Sequence, residues 1–139
     1  MSDATPPAPG LTVERREDGI TILRIRDSRR VTADAMYEAL RDLDQACFAA
    51  GRHNRLLVDA RGAGWPTPYT AGRAIQASKE TPAGLRESTA VVVSESVAVR
   101  LIDLLIRKLT PGAQQTIRLF RDEETALAWL DQRLAELGD

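Results

Sequence analysis

The stretch of residues 55–73 is the most informative part of this sequence, and its candidate residues for chemistry lie at positions 59–70. Asp59 ends a hydrophobic run, Gly62 and Gly64 follow it, and a Thr-Pro pair opens a helical pattern. Backbone N–H groups at the amino end of a helix bind anions, and a hydroxyl group there can carry a phosphate. The pattern predicts an anion site or a phosphoacceptor at Thr67 or Thr70. A tight turn followed by a capped helix explains the same residues without any ligand.

Two aromatic side chains in the same segment indicate a contact surface. Aromatic residues make up 4% of the chain, so Trp65 and Tyr69 stand out. Exposed, they would mark a protein interface, whereas buried they would pack over the edge of a sheet. Both alternatives stay open at this point. The predicted partner-binding residues are Asp59, Gly62, Gly64, Trp65 and Tyr69.

The sequence holds no complete catalytic constellation. The chain has one histidine and one cysteine, which cannot supply an ordinary zinc site. His53 follows a helix-ending glycine and is predicted to be exposed, while Cys47 falls on the apolar face of a helix. The glycine-rich turn lacks the Lys-Ser/Thr pair of a nucleotide-binding loop. We therefore predict no catalytic residue, metal or cofactor.

Charge and hydropathy exclude several classes of partner. Nineteen basic and twenty acidic side chains give a net charge of −1, without the basic field that nucleic-acid binding requires. No apolar run approaches the roughly 18 residues of a membrane span. The amino terminus lacks the pattern of a signal peptide, which predicts a cytoplasmic protein.

Hydrophobic patterning predicts five strands and four main helices. Residues 11–15 and 20–25 alternate around an Asp-Gly turn and predict a hairpin. Residues 55–60 and 89–93 contain unbroken apolar runs typical of strands covered on both faces. The last strand is predicted at residues 116–120. Helices are expected after Thr32 as a cap, over 68–80, over 97–109, and after Asp122 as a cap, with Trp129 packed against the sheet.

This order of elements predicts one α/β domain with a mixed, mostly parallel five-stranded sheet. Residues 1–10 contain three prolines and no periodicity, so they are expected to be a disordered lead to a domain over residues 11–139. An edge strand, either 11–15 or 116–120, would allow two copies to pair as a homodimer.

The opening hairpin, the run LVDARGAGWPTPYT, the valines at 91–93 and the ending LFRDEETALAWL resemble the SpoIIAA-like family of bacterial proteins. That family belongs to the STAS group of sulfate-transporter and anti-sigma-factor-antagonist domains, and its fold is related to the lipid-carrying CRAL-TRIO domains. The resemblance implies a β-α superhelix. It also implies a regulatory turn, where antagonist members carry a phosphorylated serine in an Asp-Ser-Ser-Gly run. That run is absent here, and the corresponding residues are Thr67, Pro68, Tyr69 and Thr70.

Three functions follow as hypotheses. The first is a non-enzymatic STAS-like module that regulates a protein partner through the turn. The second is a carrier or sensor of a small apolar or acyl ligand, held between the sheet and the leucine-rich helix at 97–109. The third, an enzyme that uses Asp59 or the turn backbone, is disfavoured because no base, metal set or activated nucleophile accompanies the carboxylate.

Overall fold

A five-stranded mixed sheet organises the chain, in a computed structural model that describes residues 8–97 and 116–139. The strands are β1 (Leu11–Arg15), β2 (Ile20–Ile25), β3 (Asn54–Asp59), β4 (Glu87–Val92) and β5 (Ile117–Phe120). Their order across the sheet is the order in which they occur along the chain. β1 and β2 pair antiparallel, and all other neighbours pair parallel. The predicted sheet is therefore confirmed.

The antiparallel hairpin depends on Gly19, whose φ of +89° suits a residue without a side chain. The Asp18 carboxylate accepts a hydrogen bond from the Ile20 N–H group at 3.1 Å and so supports the turn from within. The Asp-Gly pair predicted this turn, and the register that pairs Leu11 with Ile25 follows from it.

Helices cover the sheet on both faces. In the described residues they are α1 (Arg30–Ala50), α2 (Pro68–Lys79) and α3 (Glu123–Leu137), with a 3-10 turn at Arg61–Ala63. Alternate residues of β3 point to opposite faces, so Leu56 joins the core beneath α1 and α2 while Leu57 joins the core beneath α3. Trp129 of α3 is buried against Phe120, with ring centroids 5.6 Å apart, which confirms the predicted packing of this tryptophan.

The start of α1 differs from the prediction. Thr32 lies inside the helix and is buried, whereas the N-cap position belongs to Arg29, which makes no side-chain cap. The Thr32 hydroxyl instead donates to the Asp27 carboxylate at 2.6 Å, and the same carboxylate accepts from the Arg29 N–H group at 3.0 Å, which ties the loop before α1 to its first turn. The end of the helix at Gly51, with φ of +67°, matches the prediction. Cys47 is half-buried on this helix, and burial raises the pKa of its thiol.

Several expectations concern parts of the chain beyond the described residues. The helix predicted over 97–109 lies outside them, apart from helical backbone at 95–97. Residues 1–7 of the predicted lead also lie outside, and residues 8–10 rest on the sheet, where Ala8 is buried and bridges to Leu11. Within 8–97 and 116–139, no helix has the length and apolarity to cross a membrane.

Candidate functional site

The segment of residues 59–70, hereafter the contact turn, joins the carboxyl end of β3 to the amino end of α2. The 3-10 turn follows Asp59 almost directly, and Gly64 then reverses the chain with φ of +68°. The Ser28 hydroxyl donates to the Ala63 carbonyl at 3.2 Å and ties the turn to the loop after β2. The backbone of the turn is therefore fixed by contacts at several points.

Asp59 is the centre of an ion network on the α3 side of the sheet. Its carboxylate accepts from Arg61 through Nε at 2.9 Å and Nη2 at 3.0 Å, and from Arg24 Nη1 at 2.8 Å. Arg24 also pairs with Glu123, the first residue of α3, at 2.8 Å. The hydrogen bond from Arg61 is the main reason why the pKa of Asp59 is lowered. Such a carboxylate stays ionised and holds the turn, and it is a weak candidate for a general base.

Thr67 caps α2 as predicted. Its side-chain oxygen accepts from the Thr70 N–H group at 3.2 Å, and its carbonyl accepts from the Ala71 N–H group at 2.9 Å. The Thr67 hydroxyl also donates to the Thr70 hydroxyl at 3.1 Å. The amino end of this helix was expected to offer the free N–H groups of Tyr69 and Thr70 to an anion. For Thr70 this was wrong, because its N–H group already donates to the Thr67 hydroxyl.

Trp65 and Tyr69 have different environments. The Trp65 side chain is 44% exposed, on the outside of the contact turn. Tyr69 is half-buried, donates its hydroxyl to Asp34 at 2.5 Å and lies under the Arg30 guanidinium at 4.5 Å from the ring centroid. The hydrogen bond to Asp34 raises the pKa of Tyr69. Trp65 thus offers contact area at the surface, while Tyr69 fastens α2 to the start of α1.

The expectation that His53 is exposed was wrong. The ring is 3% exposed, with Nε2 at 2.9 Å from the Ser88 Oγ and Nδ1 at 2.9 Å from the Gly138 carbonyl oxygen. Burial lowers the pKa of His53, which favours the neutral ring. Ser88 is fully buried and also accepts from Arg133 Nε at 3.0 Å. A carbonyl stands where a catalytic triad needs a carboxylate, so this is a structural anchor between β4 and the end of α3.

An apolar cavity of about 170 Å³ lies beneath α2, on the face of the sheet shared with α1. One end reaches the inner side of the contact turn at Gly64 and Pro66, and the other reaches Asp44 and Glu87. Sequence reasoning missed these two acids. The signal for Asp44 was its place beside Leu43 in the apolar stripe of α1, where a charged residue is out of pattern.

Asp44, which is buried, and Glu87, which is half-buried, form a carboxyl pair at this end of the cavity. Asp44 is 6% exposed and accepts from Asn54 Nδ2 at 2.8 Å and from the Thr81 hydroxyl at 3.1 Å. Burial, followed by a hydrogen bond to Asp44, raises the pKa of Glu87 to about 9. The raised pKa favours the protonated form of Glu87 at neutral pH, and in that form its carboxyl group can donate to Asp44.

Comparison with known proteins agrees with this architecture. A family model described as SpoIIAA-like matches residues 22–131. The solved structures include a similar fold, the crystal structure of an anti-sigma factor antagonist from Mycobacterium paratuberculosis, with a TM-score of 0.58 at 18% identity. That match covers 92% of this chain and 98% of the other, and at this identity it shows the shared fold alone. No curated protein matches the sequence.

Proposed function

Because this chain belongs to the SpoIIAA-like family, we propose that it is a non-enzymatic, STAS-like regulatory module that binds a protein partner through the contact turn. The observation that carries the proposal is an exposed tryptophan on a fixed backbone. Trp65 is 44% exposed, and the turn that presents it is held by Asp59, Ser28 and Thr67. A rigid aromatic side chain loses little entropy on binding, which is why tryptophan is enriched among the dominant residues of interfaces.

The similar solved fold supports a protein as the partner, since it is that of an anti-sigma factor antagonist. The proposed binding residues are Asp59, Gly62, Gly64, Trp65 and Tyr69, with Thr67 or Thr70 as the candidate phosphoacceptor. A phosphate on either hydroxyl would add negative charge at the amino end of α2, which the helix dipole tolerates. A cytoplasmic location and a homodimer formed through an edge strand belong to the same proposal.

The side chains with catalytic potential support a non-enzymatic role. The Asp59 carboxylate already accepts hydrogen bonds from Arg24 and Arg61. His53 and Ser88 are buried. Burial also raises the pKa of the Cys47 thiol, which disfavours the nucleophilic thiolate.

Affinity capture from the source cells, with a matched control variant, tests the proposal. Trp65→Ala should reduce recovery of the partner at least tenfold, while the melting temperature stays close to that of the wild type. Phe48→Ala is the control, since Phe48 is also exposed, at 50%, but lies far from the contact turn. Arg30 at the start of α1 contacts Tyr69 of that turn, and Phe48 follows Arg30 by 18 residues, roughly 27 Å along the helix. Equal recovery with Trp65→Ala, Phe48→Ala and wild type would exclude the contact turn as the interface.

The cavity beneath α2 supports a second candidate function, a carrier or sensor of a small apolar or acyl ligand. Its lining is mostly apolar and includes Ala74, Ile75 and Val91. Native mass spectrometry of freshly purified protein tests this candidate, which predicts an added mass that disappears on denaturation. Consistent absence of any added mass after gentle purification would argue against it.

A further inference from the structure

The polar end of the cavity determines what kind of ligand fits it. The cavity runs from the inner side of the contact turn to the Asp44–Glu87 pair, and between these ends its wall is largely apolar. A dry apolar cavity of 150 Å³ can hold benzene, so about 170 Å³ admits a ligand of about six to eight non-hydrogen atoms. The space therefore fits a short chain whose head group meets the two carboxyl groups.

Within residues 8–97 and 116–139, no cationic side chain forms an ion pair with either carboxyl group. Asn54 and Thr81 satisfy Asp44 by hydrogen bonds, yet neither side chain neutralises its charge. A buried charge without a counter-ion is costly, and a ligand that supplies the opposite charge recovers part of that cost.

We propose that the cavity binds a short primary alkylammonium ion, with its apolar chain beneath α2 and its ammonium group at Asp44 and Glu87. This inference rests on the second candidate function above. It replaces the anionic carboxylate head group of an acyl ligand with a cationic ammonium group. A ligand carboxylate would bring a third carboxyl group to the pair, and like charges at such distances repel strongly in a low-dielectric site. An alkylamine, which titrates like the lysine side chain near 10.4, is a cation at neutral pH.

Three probes of equal chain length distinguish the head groups at pH 7. Hexylamine, hexanol and hexanoate are titrated into the wild-type protein and followed by amide chemical shifts and calorimetry. The expected result is that hexylammonium binds at least about tenfold more tightly than hexanol, and that hexanoate binds weakest. Shifts should map to residues that line the cavity, such as Ala74 and Thr81.

Two variants separate the head group from the cavity. The double variant Asp44→Asn, Glu87→Gln removes the charge of the pair and should abolish the preference for hexylammonium while hexanol still binds. Ala74→Leu fills the cavity and should block all three probes. If the double variant does not fold, the comparison of probes in the wild type still decides the inference.

Each contrary outcome has a distinct meaning. If hexanol or hexanoate binds the wild type as tightly as hexylammonium, the ammonium inference is wrong and the carrier function survives. If none of the probes binds, or if binding persists unchanged in Ala74→Leu, both the inference and the carrier function are overturned. The proposal for the contact turn is independent of both results.

Discussion

The Nε2 atom of His53 lies 2.9 Å from the Oγ atom of Ser88, at the amino ends of β3 and β4 and thus at the opposite end of the strands from the contact turn. The other ring nitrogen meets the Gly138 carbonyl oxygen at the end of α3. Arg86 reinforces this closure, because its guanidinium donates to the carbonyls of Leu137 at 3.0 Å and Gly51 at 2.7 Å. The end of the final helix is thus fastened to the amino end of the parallel sheet by a half-buried hydrogen bond from His53 and an exposed one from Arg86.

Acid should weaken the His53 anchor. Burial lowers the pKa of His53 in the folded state, so the unfolded chain binds a proton more readily once the pH falls below about 6.5. The contribution of His53 is fully present above that pH and is lost as the pH falls towards the folded-state pKa, by at most about 1.4 kcal/mol per pH unit. Urea unfolding of wild type and His53→Gln between pH 7.5 and 5.5 measures it. Parallel profiles for the two proteins would contradict the prediction.

Glu87 should give the opposite pH dependence. Its folded-state pKa of about 9 lies above the ordinary value of 4.5, so its contribution to stability is full below 4.5 and is lost as the pH rises through 9. Between pH 6.5 and 8.5, the wild type should lose up to about 1.4 kcal/mol per pH unit relative to Glu87→Gln. The Gln amide preserves the donor to Asp44 without a proton to lose. A constant difference across this pH range, measured by urea unfolding, would count against a protonated Glu87.

The two glycines of the contact turn should differ in their tolerance of alanine. Gly64 has φ of +68° and ψ of −144°, a conformation that strains any other residue, so Gly64→Ala should cost about 1–3 kcal/mol. Gly62 lacks a positive φ, and an added Cβ atom would meet Arg26 Cα and the Ile25 carbonyl oxygen at an ordinary 3.5 Å. Gly62→Ala should therefore change stability by less than about 0.5 kcal/mol. Thermal melts of both variants test this prediction, and equal losses of stability in the two variants would show that the backbone conformation of Gly64 does not require glycine.

The cap of α2 should contribute measurably to stability. Thr67→Ala removes the acceptor for the Thr70 N–H group and should cost about 1 kcal/mol. Thr67→Ser keeps the hydroxyl oxygen and should retain most of the wild-type stability. Chemical unfolding of the two variants provides the comparison. The hydroxyl has no capping role if serine and alanine are equivalent at this position.

Local sequence signals predicted the architecture well. The Asp18-Gly19 pair predicted the hairpin, and Thr67 and Asp122 predicted two helix starts, because caps and tight turns depend on residues close together in the chain. The unbroken apolar run in β3 predicted a strand covered on both faces, and both cores confirm it.

Long-range contacts escaped prediction for a physical reason. The partner of His53 at Gly138 is 85 residues away, and the approach of Asp44 to Glu87 requires α1 and β4 to be packed already. The start of α1 was misjudged because the Thr32 hydroxyl, which was expected to cap the helix, donates to Asp27 from inside the first turn. Whether a polar side chain is buried depends on contacts between distant parts of the folded chain, and a single sequence does not reveal those contacts.

The agreement between strand order and chain order bears on how the protein is made. During translation, each strand emerges when its sheet neighbour has already left the ribosome, so pairing can proceed in the direction of synthesis. The helix α3 follows all five strands in the chain and brings both Glu123, which pairs with Arg24 beside the contact turn, and Gly138, whose carbonyl oxygen contacts His53 at the opposite end of the strands. A nascent chain therefore lacks both contacts until α3 has been made, so strand pairing comes before these two contacts form.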